Sequence, residues 1–164
     1  MAATALRRPD DRTKALGEYV SELLSMDEPR RRLAAEMSGL DIHYDLGEGH
    51  PLLGRRMSDL DLITANGALR AYALMHNARP MLLNLGEPGG FNINPWADRV
   101  QLIDAQYAGN WELPALGEVT APTTMLIRPD GYVAWVGDPT QRGLAEALTT
   151  WFGPPDTIGS SPPS

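Results

Sequence analysis

Between residues 41 and 56 the chain gathers Asp41, His43, Tyr44, Asp45, Glu48, His50, Arg55 and Arg56 in the stretch DIHYDLGEGHPLLGRR. If DIHYD is extended, side-chain alternation puts Asp41, His43 and Asp45 on one face and Ile42 and Tyr44 on the other. An imidazole between two carboxylates is a general-base arrangement, because neighbouring negative charge strengthens the ring's hold on a proton. In this reading His43 is the base, Asp41 and Asp45 assist it, and Tyr44 or Arg55 stabilises a developing oxyanion. The same residues also suit a solvated connector strand whose charges face water.

Other features carry less chemistry. His50 stands before Pro51, where it can brace a turn. No H-x-x-x-H pair or carboxylate triad supplies metal-ligand spacing, so no metal is expected. Arg30, Arg31 and Arg32 read as a solvated helix face. Phe91, Trp96 and Trp111 could line a pocket for a planar aromatic ligand, although tryptophans more often fill cores, as Trp135 on its strand should.

Composition narrows the classes. The 164 residues are 43% hydrophobic, enough for one core. With no cysteine, disulfides, thiol nucleophiles and thiolate-bound metals are excluded, and a formal charge of −7 argues against a nucleic-acid surface. No run approaches the roughly 20 apolar residues of a membrane helix, and MAATALRRPDDRTK has no signal-peptide core, so a cytoplasmic protein that meets a small molecule or another protein is expected.

These residues need positioning elements. Leu16, Tyr19, Val20, Leu23 and Leu24 recur at helical spacing, predicting a first helix with one apolar face. DEPRRRLAAEM predicts a second, with Asp27 as N-cap, a proline in its first turn, Leu33 and Met37 on the buried side, and Gly39 as stop. Beyond the connector, DLDLIT predicts a strand, Asn66-Gly67 a turn, and ALRAYALMHNA a helix burying Leu69, Tyr72 and Ala73. PMLLNLG and RVQLIDAQY predict central strands. TTMLIRPDGYVAWVG predicts a hairpin, and TQRGLAEALTTWF a helix burying Leu144, Leu148, Trp151 and Phe152. The expected division is a helical extension and connector over 1–53, a main domain over 54–153, and an unstructured Pro/Gly/Ser-rich tail over 154–164.

A βαβ unit followed by a hairpin and a terminal helix resembles thioredoxin, and Ala121-Pro122 falls where that fold often carries a cis-proline. The expected class is α/β: a thioredoxin-like domain, with a mixed sheet flanked by helices, lacking the CxxC motif and preceded by a two-helix extension. GEPGGFNINPWADR replaces the redox helix. The segments MSGLDIHYDLGEGHPLLGRRMSDLDL, ARPMLLNLGEPGG, WADRVQLIDAQY and MLIRPDGYVAWVGD resemble the C-terminal portion of FAD-dependent aromatic-ring hydroxylases. That family tailors angucycline- and anthracycline-type polyketides and includes rifampicin monooxygenase.

The resemblance implies a lineage whose flavin and hydroxylation chemistry sit in a large preceding region. Gly86, Gly89 and Gly90, with Pro88 among them, do not form G-x-G-x-x-G, so no flavin cofactor is expected here. Three functions follow from it. One is a cofactor-independent enzyme for cyclisation, dehydration or isomerisation of a polycyclic aromatic polyketide. The second is a non-catalytic, substrate-holding partner of a flavin hydroxylase, and the third a domain excised from a full-length hydroxylase. The apolar stripes of the first two helices should dock tightly or form a homodimer.

Overall fold

The computed structural model describes residues 11–38, 42–113 and 117–156, and the chain divides into two compact units, one ending at Asp41 and the other beginning at Ile42. The first contains helices α1 (Asp11–Ser25) and α2 (Asp27–Ser38). Both helices lie where apolar periodicity puts them, but burial differs from expectation. Leu16, Tyr19, Leu33 and Met37 are exposed, and only Val20, Leu23 and Leu24 of the predicted α1 stripe are half-buried. Asp27 is not the cap. The Arg30 amide donates to the Met26 carbonyl at 3.3 Å, which puts Met26 in the N-cap place, while the Asp27 carboxylate accepts from the Arg30 guanidinium at 2.6 Å. Gly39 lies outside the described residues.

The second unit is built on a six-stranded sheet in the order β2-β1-β4-β3-β7-β8. Its strands are β1 (Asp61–Thr64), β2 (Gly67–Arg70), β3 (Met81–Asn84), β4 (Gln101–Gln106), β7 (Thr124–Ile127) and β8 (Val133–Gly137). A small separate ribbon pairs β5 (Glu112–Leu113) with β6 (Gly117–Glu118). Strand β3 runs parallel to β4, with Leu82 beside Leu102, and antiparallel to β7, with Leu82 beside Leu126. The β7–β8 hairpin turns through Pro129-Asp130-Gly131 and leads to the closing helix α4 (Leu144–Phe152). This is the thioredoxin strand arrangement predicted above. The described residues contain no cis peptide bond, so Ala121-Pro122 departs from the expected cis-proline.

Alternation along the strands builds two cores. Leu82, Leu126 and Trp135 face Phe91, Trp96, Val100 and helix α4, where Leu144 and Leu148 are buried and Trp151 and Phe152 half-buried. Met81, Leu83, Met125, Ile127 and Val133 belong to the other core, covered by Leu52, Met57 and Leu60 of the connector and by Trp111 and Leu113.

The helix expected over ALRAYALMHNA is instead strand β2 followed by one helical turn, α3 (Ala71–Leu74). Tertiary contacts override its helical propensity. The Thr64 hydroxyl accepts from the Asn66 amide and donates to the Gly67 carbonyl, Gly67 has φ +112°, and Leu69 pairs across the hairpin with Leu62. Asp59 then takes the Tyr72 amide at 3.0 Å and the Arg70 guanidinium at 2.8 Å, ending the strand and starting the turn. Leu69 and Tyr72 are half-buried and Ala73 is exposed, leaving Ala71 as the buried residue.

Asp156, inside the expected tail, is held by the Pro95 carbonyl at 2.9 Å and by Arg99 at 2.8 Å; residues 157–164 lie outside the described set. Among the described residues no helix is long and apolar enough to cross a membrane.

Candidate functional site

The polar stretch is extended at His43, which forms an isolated antiparallel bridge with Arg55. Bridge partners carry their side chains on one face, so the imidazole and guanidinium are neighbours. The connector can run this close because residue 54 is glycine. Gly54 has φ +74°, and a Cβ there would overlap the Tyr44 carbonyl oxygen. The Tyr44 amide donates to the Gly54 carbonyl at 2.9 Å, and the Gly54 amide donates to Val133 at 2.9 Å, tying the connector to β8.

The predicted catalytic group is only partly assembled. His43 Nε2 lies 3.1 Å from the Leu53 carbonyl, which can only accept, so Nε2 carries the proton and a neutral ring leaves its lone pair on Nδ1. Asp45 turns back on its own chain, its Oδ1 accepting from the Gly47 amide at 3.1 Å. Asp41 lies outside the described residues. Tyr44 points to the opposite face, edge-on to Tyr132 with ring centroids 4.8 Å apart. Alternation thus separates His43 from Tyr44 as expected, and the oxyanion role for Tyr44 loses its geometry. His50 braces the turn: Nδ1 accepts from the Leu52 amide at 3.1 Å and Nε2 donates to the Thr120 carbonyl at 2.8 Å.

Arg55 stays beside His43. They share the lining of an open groove of about 400 Å³ with Glu48, His50 and Leu53. Along Glu48, Gly49, His50 and Leu53 this lobe meets a second, of about 460 Å³, whose apolar wall includes Trp135, Ala147 and Trp151 and whose rim carries Glu146.

The aromatic residues expected to line a pocket are elsewhere. Phe91 and Trp96 are buried in one core, and the Trp96 indole donates to the Gly153 carbonyl at 2.9 Å. Trp111 is buried in the other core, edge-on to Tyr107. Sequence reasoning missed Trp151 as a groove wall because helical periodicity marks it simply as apolar. Its partner sets its orientation: the Arg128 guanidinium lies over its ring at 4.4 Å.

The glycine loop after β3 does not form a phosphate cradle. The Gly86 amide donates to Asn84 Oδ1 at 3.0 Å, and the Gly89 amide to Asp104 Oδ2 at 3.2 Å. Backbone donors that could face a pyrophosphate are spent on the chain's own side chains, and a carboxylate sits where the anion would go. A 3-10 turn, Asn94–Trp96, follows in place of a helix. These residues do not fit a flavin diphosphate.

The sheet order, the cysteine-free loop after β3 and the connector packed on β8 define a thioredoxin-like domain that lacks the CxxC motif. The chain belongs to the family described as aromatic-ring hydroxylase, C-terminal, whose model matches residues 50–155. It is 41% identical over 158 residues to 12-dehydrotetracycline 5-monooxygenase/anhydrotetracycline 6-monooxygenase of Streptomyces rimosus, covering 94% of this chain and 31% of that protein. It is 36% identical to rifampicin monooxygenase of Rhodococcus hoagii, covering 85% and 26%, and 31% identical to dialkyldecalin synthase of Streptomyces rugosporus, covering 93% and 27%.

Among solved structures, CabE, an aromatic hydroxylase from angucycline biosynthesis, matches with TM-score 0.67 at 38% identity, over 88% of this chain and 30% of its own. The Diels–Alderase PyrE3 of pyrroindomycin biosynthesis matches with TM-score 0.59 at 30% identity, over 93% and 28%. The chain therefore spans less than a third of the length of each of these proteins.

Proposed function

We propose that the sheet unit holds a planar aromatic small molecule in the two-lobed groove, as a substrate-holding domain serving flavin-dependent tailoring of aromatic polyketides. The observation that carries this reading is the junction of an indole-walled lobe with the polar lobe of His43 and Arg55. Volumes of about 400 and 460 Å³ suit a drug-sized molecule, and flat apolar walls with a few polar groups are the usual make-up of such sites. The named substrates of the relatives, anhydrotetracycline and rifampicin, support an aromatic polyketide as the ligand class. The hydroxylation itself is assigned to a separate flavin-binding region, a reading supported by the Gly86 and Gly89 amides being taken by Asn84 and Asp104.

A second reading makes the groove catalytic. It is supported by the His43 tautomer, whose Nδ1 lone pair is available as a base, and by relatives named as a synthase and a Diels–Alderase. Loss of a positioned general base lowers turnover by 10²- to 10⁴-fold in typical cases. His43→Ala that binds ligand but loses turnover supports catalysis; unchanged conversion leaves holding alone.

Binding is tested by titrating the protein with alizarin dimethyl ether and following tryptophan fluorescence. Saturable quenching whose amplitude falls in Trp151→Phe is the expected result. An absence of saturable quenching by this ether and by alizarin alike, or quenching indifferent to Trp151→Phe, overturns the groove as the site.

A further inference from the structure

Among the described arginines of the sheet unit, Arg55, Arg56 and Arg142 show no hydrogen bond from the guanidinium to an oxygen, and of these only Arg55 has a buried nitrogen. Arg70 reaches Asp59 and Asp61, Arg79 the Asp98 carbonyl, Arg99 Asp156 and the Phe152 carbonyl, and Arg128 Asp130. Arg55 reaches no oxygen among the described residues, and its Nε is buried without a hydrogen-bond partner. Its main chain is fixed: the amide donates to the Leu52 carbonyl at 3.1 Å, and the carbonyl accepts from the Val133 amide at 2.9 Å. The side chain therefore stands on a rigid base, half-buried, lining the polar lobe beside His43. A guanidinium offers five donors in a planar fork, and leaving a buried one unmet is costly, so such a group is retained where an acceptor arrives from outside.

We infer that Arg55 selects ligands carrying an acidic oxygen, a phenol or enol that ionises on binding, and receives that oxygen in the polar lobe while the fused rings lie against the Trp135 and Trp151 lobe. This rests on the groove being the binding site. The neighbouring His43 donates its Nε2 proton to Leu53 and takes no hydrogen bond from the guanidinium, and its Nδ1 can accept the proton the phenol gives up. The balance is simple: the ligand O–H bond breaks, the proton moves to Nδ1 or to water, and the oxyanion is held by the guanidinium. Among the described residues Glu48, on the rim of both lobes, is the one carboxylate lining the polar lobe and the internal competitor for Arg55.

The experiment compares alizarin, whose visible band moves when its phenol ionises, with alizarin dimethyl ether, which cannot ionise. Near pH 7 alizarin should bind at least about 10-fold more tightly, and its colour change should move to lower pH on the protein by about one unit or more, as expected beside a fixed positive charge. Arg55→Leu should equalise the two ligands, Arg55→Lys should keep part of the preference, and Glu48→Gln should leave it intact or enlarge it. The wild-type colour titration reads the same contact should Arg55→Leu fail to fold. Equal affinity for both ligands, with the colour change unmoved, overturns the inference and leaves the groove reading standing. A preference seen only in Glu48→Gln also overturns it, because Arg55 is then satisfied by Glu48. If neither ligand binds, the groove reading falls and takes this inference with it.

Discussion

The guanidinium carbon of Arg128 lies 4.4 Å from the centroid of the Trp151 ring. The same group lies 5.4 Å from the ring of Tyr44 and pairs with the Asp130 carboxylate across the hairpin turn. One cation thus joins the connector, the β7–β8 turn and helix α4, and it fixes one wall of the groove from behind. Cation–π contacts contribute about 0.5–1 kcal/mol when exposed and about 2 when desolvated. With the Arg128 side chain only 20% exposed, Arg128→Ala should cost about 1–2 kcal/mol. Urea denaturation measures that loss, and the emission of Trp151 should shift to longer wavelength as its ring meets water. A variant with unchanged midpoint and emission would show that Leu148 and Phe152 alone hold the helix end.

Asp59 links acidity to the hairpin. Its burial raises the carboxyl pKa, but hydrogen bonding from Arg70, the Tyr72 amide and the Arg70 charge together bring it below the ordinary value. A carboxylate lowered in the folded state adds stability that is present above the unfolded value, near 4, and is lost as pH falls through the lower native one. Asp59→Asn keeps an acceptor for the Tyr72 amide and removes the ion pair with Arg70. Its stability should therefore lie below that of the unsubstituted protein at pH 7, and the gap should close below about pH 4. Thermal unfolding followed between these limits measures it, and a gap that persists undiminished in acid would locate the effect in packing.

The sheet was legible because its signals are local. MLLN and TMLI are buried at every position and apolar except at Asn84 and Thr124, and Pro129-Asp130-Gly131 sets the hairpin. Strand β2 was hidden because Ala68, Leu69 and Arg70 are good helix formers, and the contacts overruling them come from Asp59 and Leu62 outside the segment. The candidate site was legible as a place and misread as a mechanism. Alternation put His43 and Tyr44 on opposite faces, but nothing in the sequence says that Asp45 caps Gly47 or that Leu53 offers its carbonyl to the imidazole. The groove itself depends on Gly54 letting two backbone segments meet, and a sequence shows the glycine without the segment it admits.

Asn84 closes the end of β3 where a thioredoxin carries its redox helix. It is 1% exposed and donates from Nδ2 to Asp104 Oδ1 at 2.6 Å and to the Glu87 carbonyl at 2.9 Å, while its Oδ1 accepts from Gly86. Two substitutions separate charge from shape. Asn84→Leu strands the Asp104 oxygen and the Gly86 amide, which should cost about 2–3 kcal/mol with little dependence on pH. Asn84→Asp places two carboxyls within hydrogen-bond distance, where they can share one proton but cannot both ionise cheaply. One of the pair is then raised above the ordinary carboxylate value in the folded state, so the folded form holds a proton that the unfolded chain releases. Stability of Asn84→Asp should fall as pH rises from about 4 to 7, the reverse of the Asp59 effect, reaching a deficit of about 3 kcal/mol at neutrality. Urea midpoints at several pH values give the slope, and exchange of the Gly86 and Gly89 amides reports whether the loop opens with it. A flat profile for Asn84→Asp would mean that water reaches Asp104 and screens the pair, and the loop would then be held by its backbone turns without this cluster.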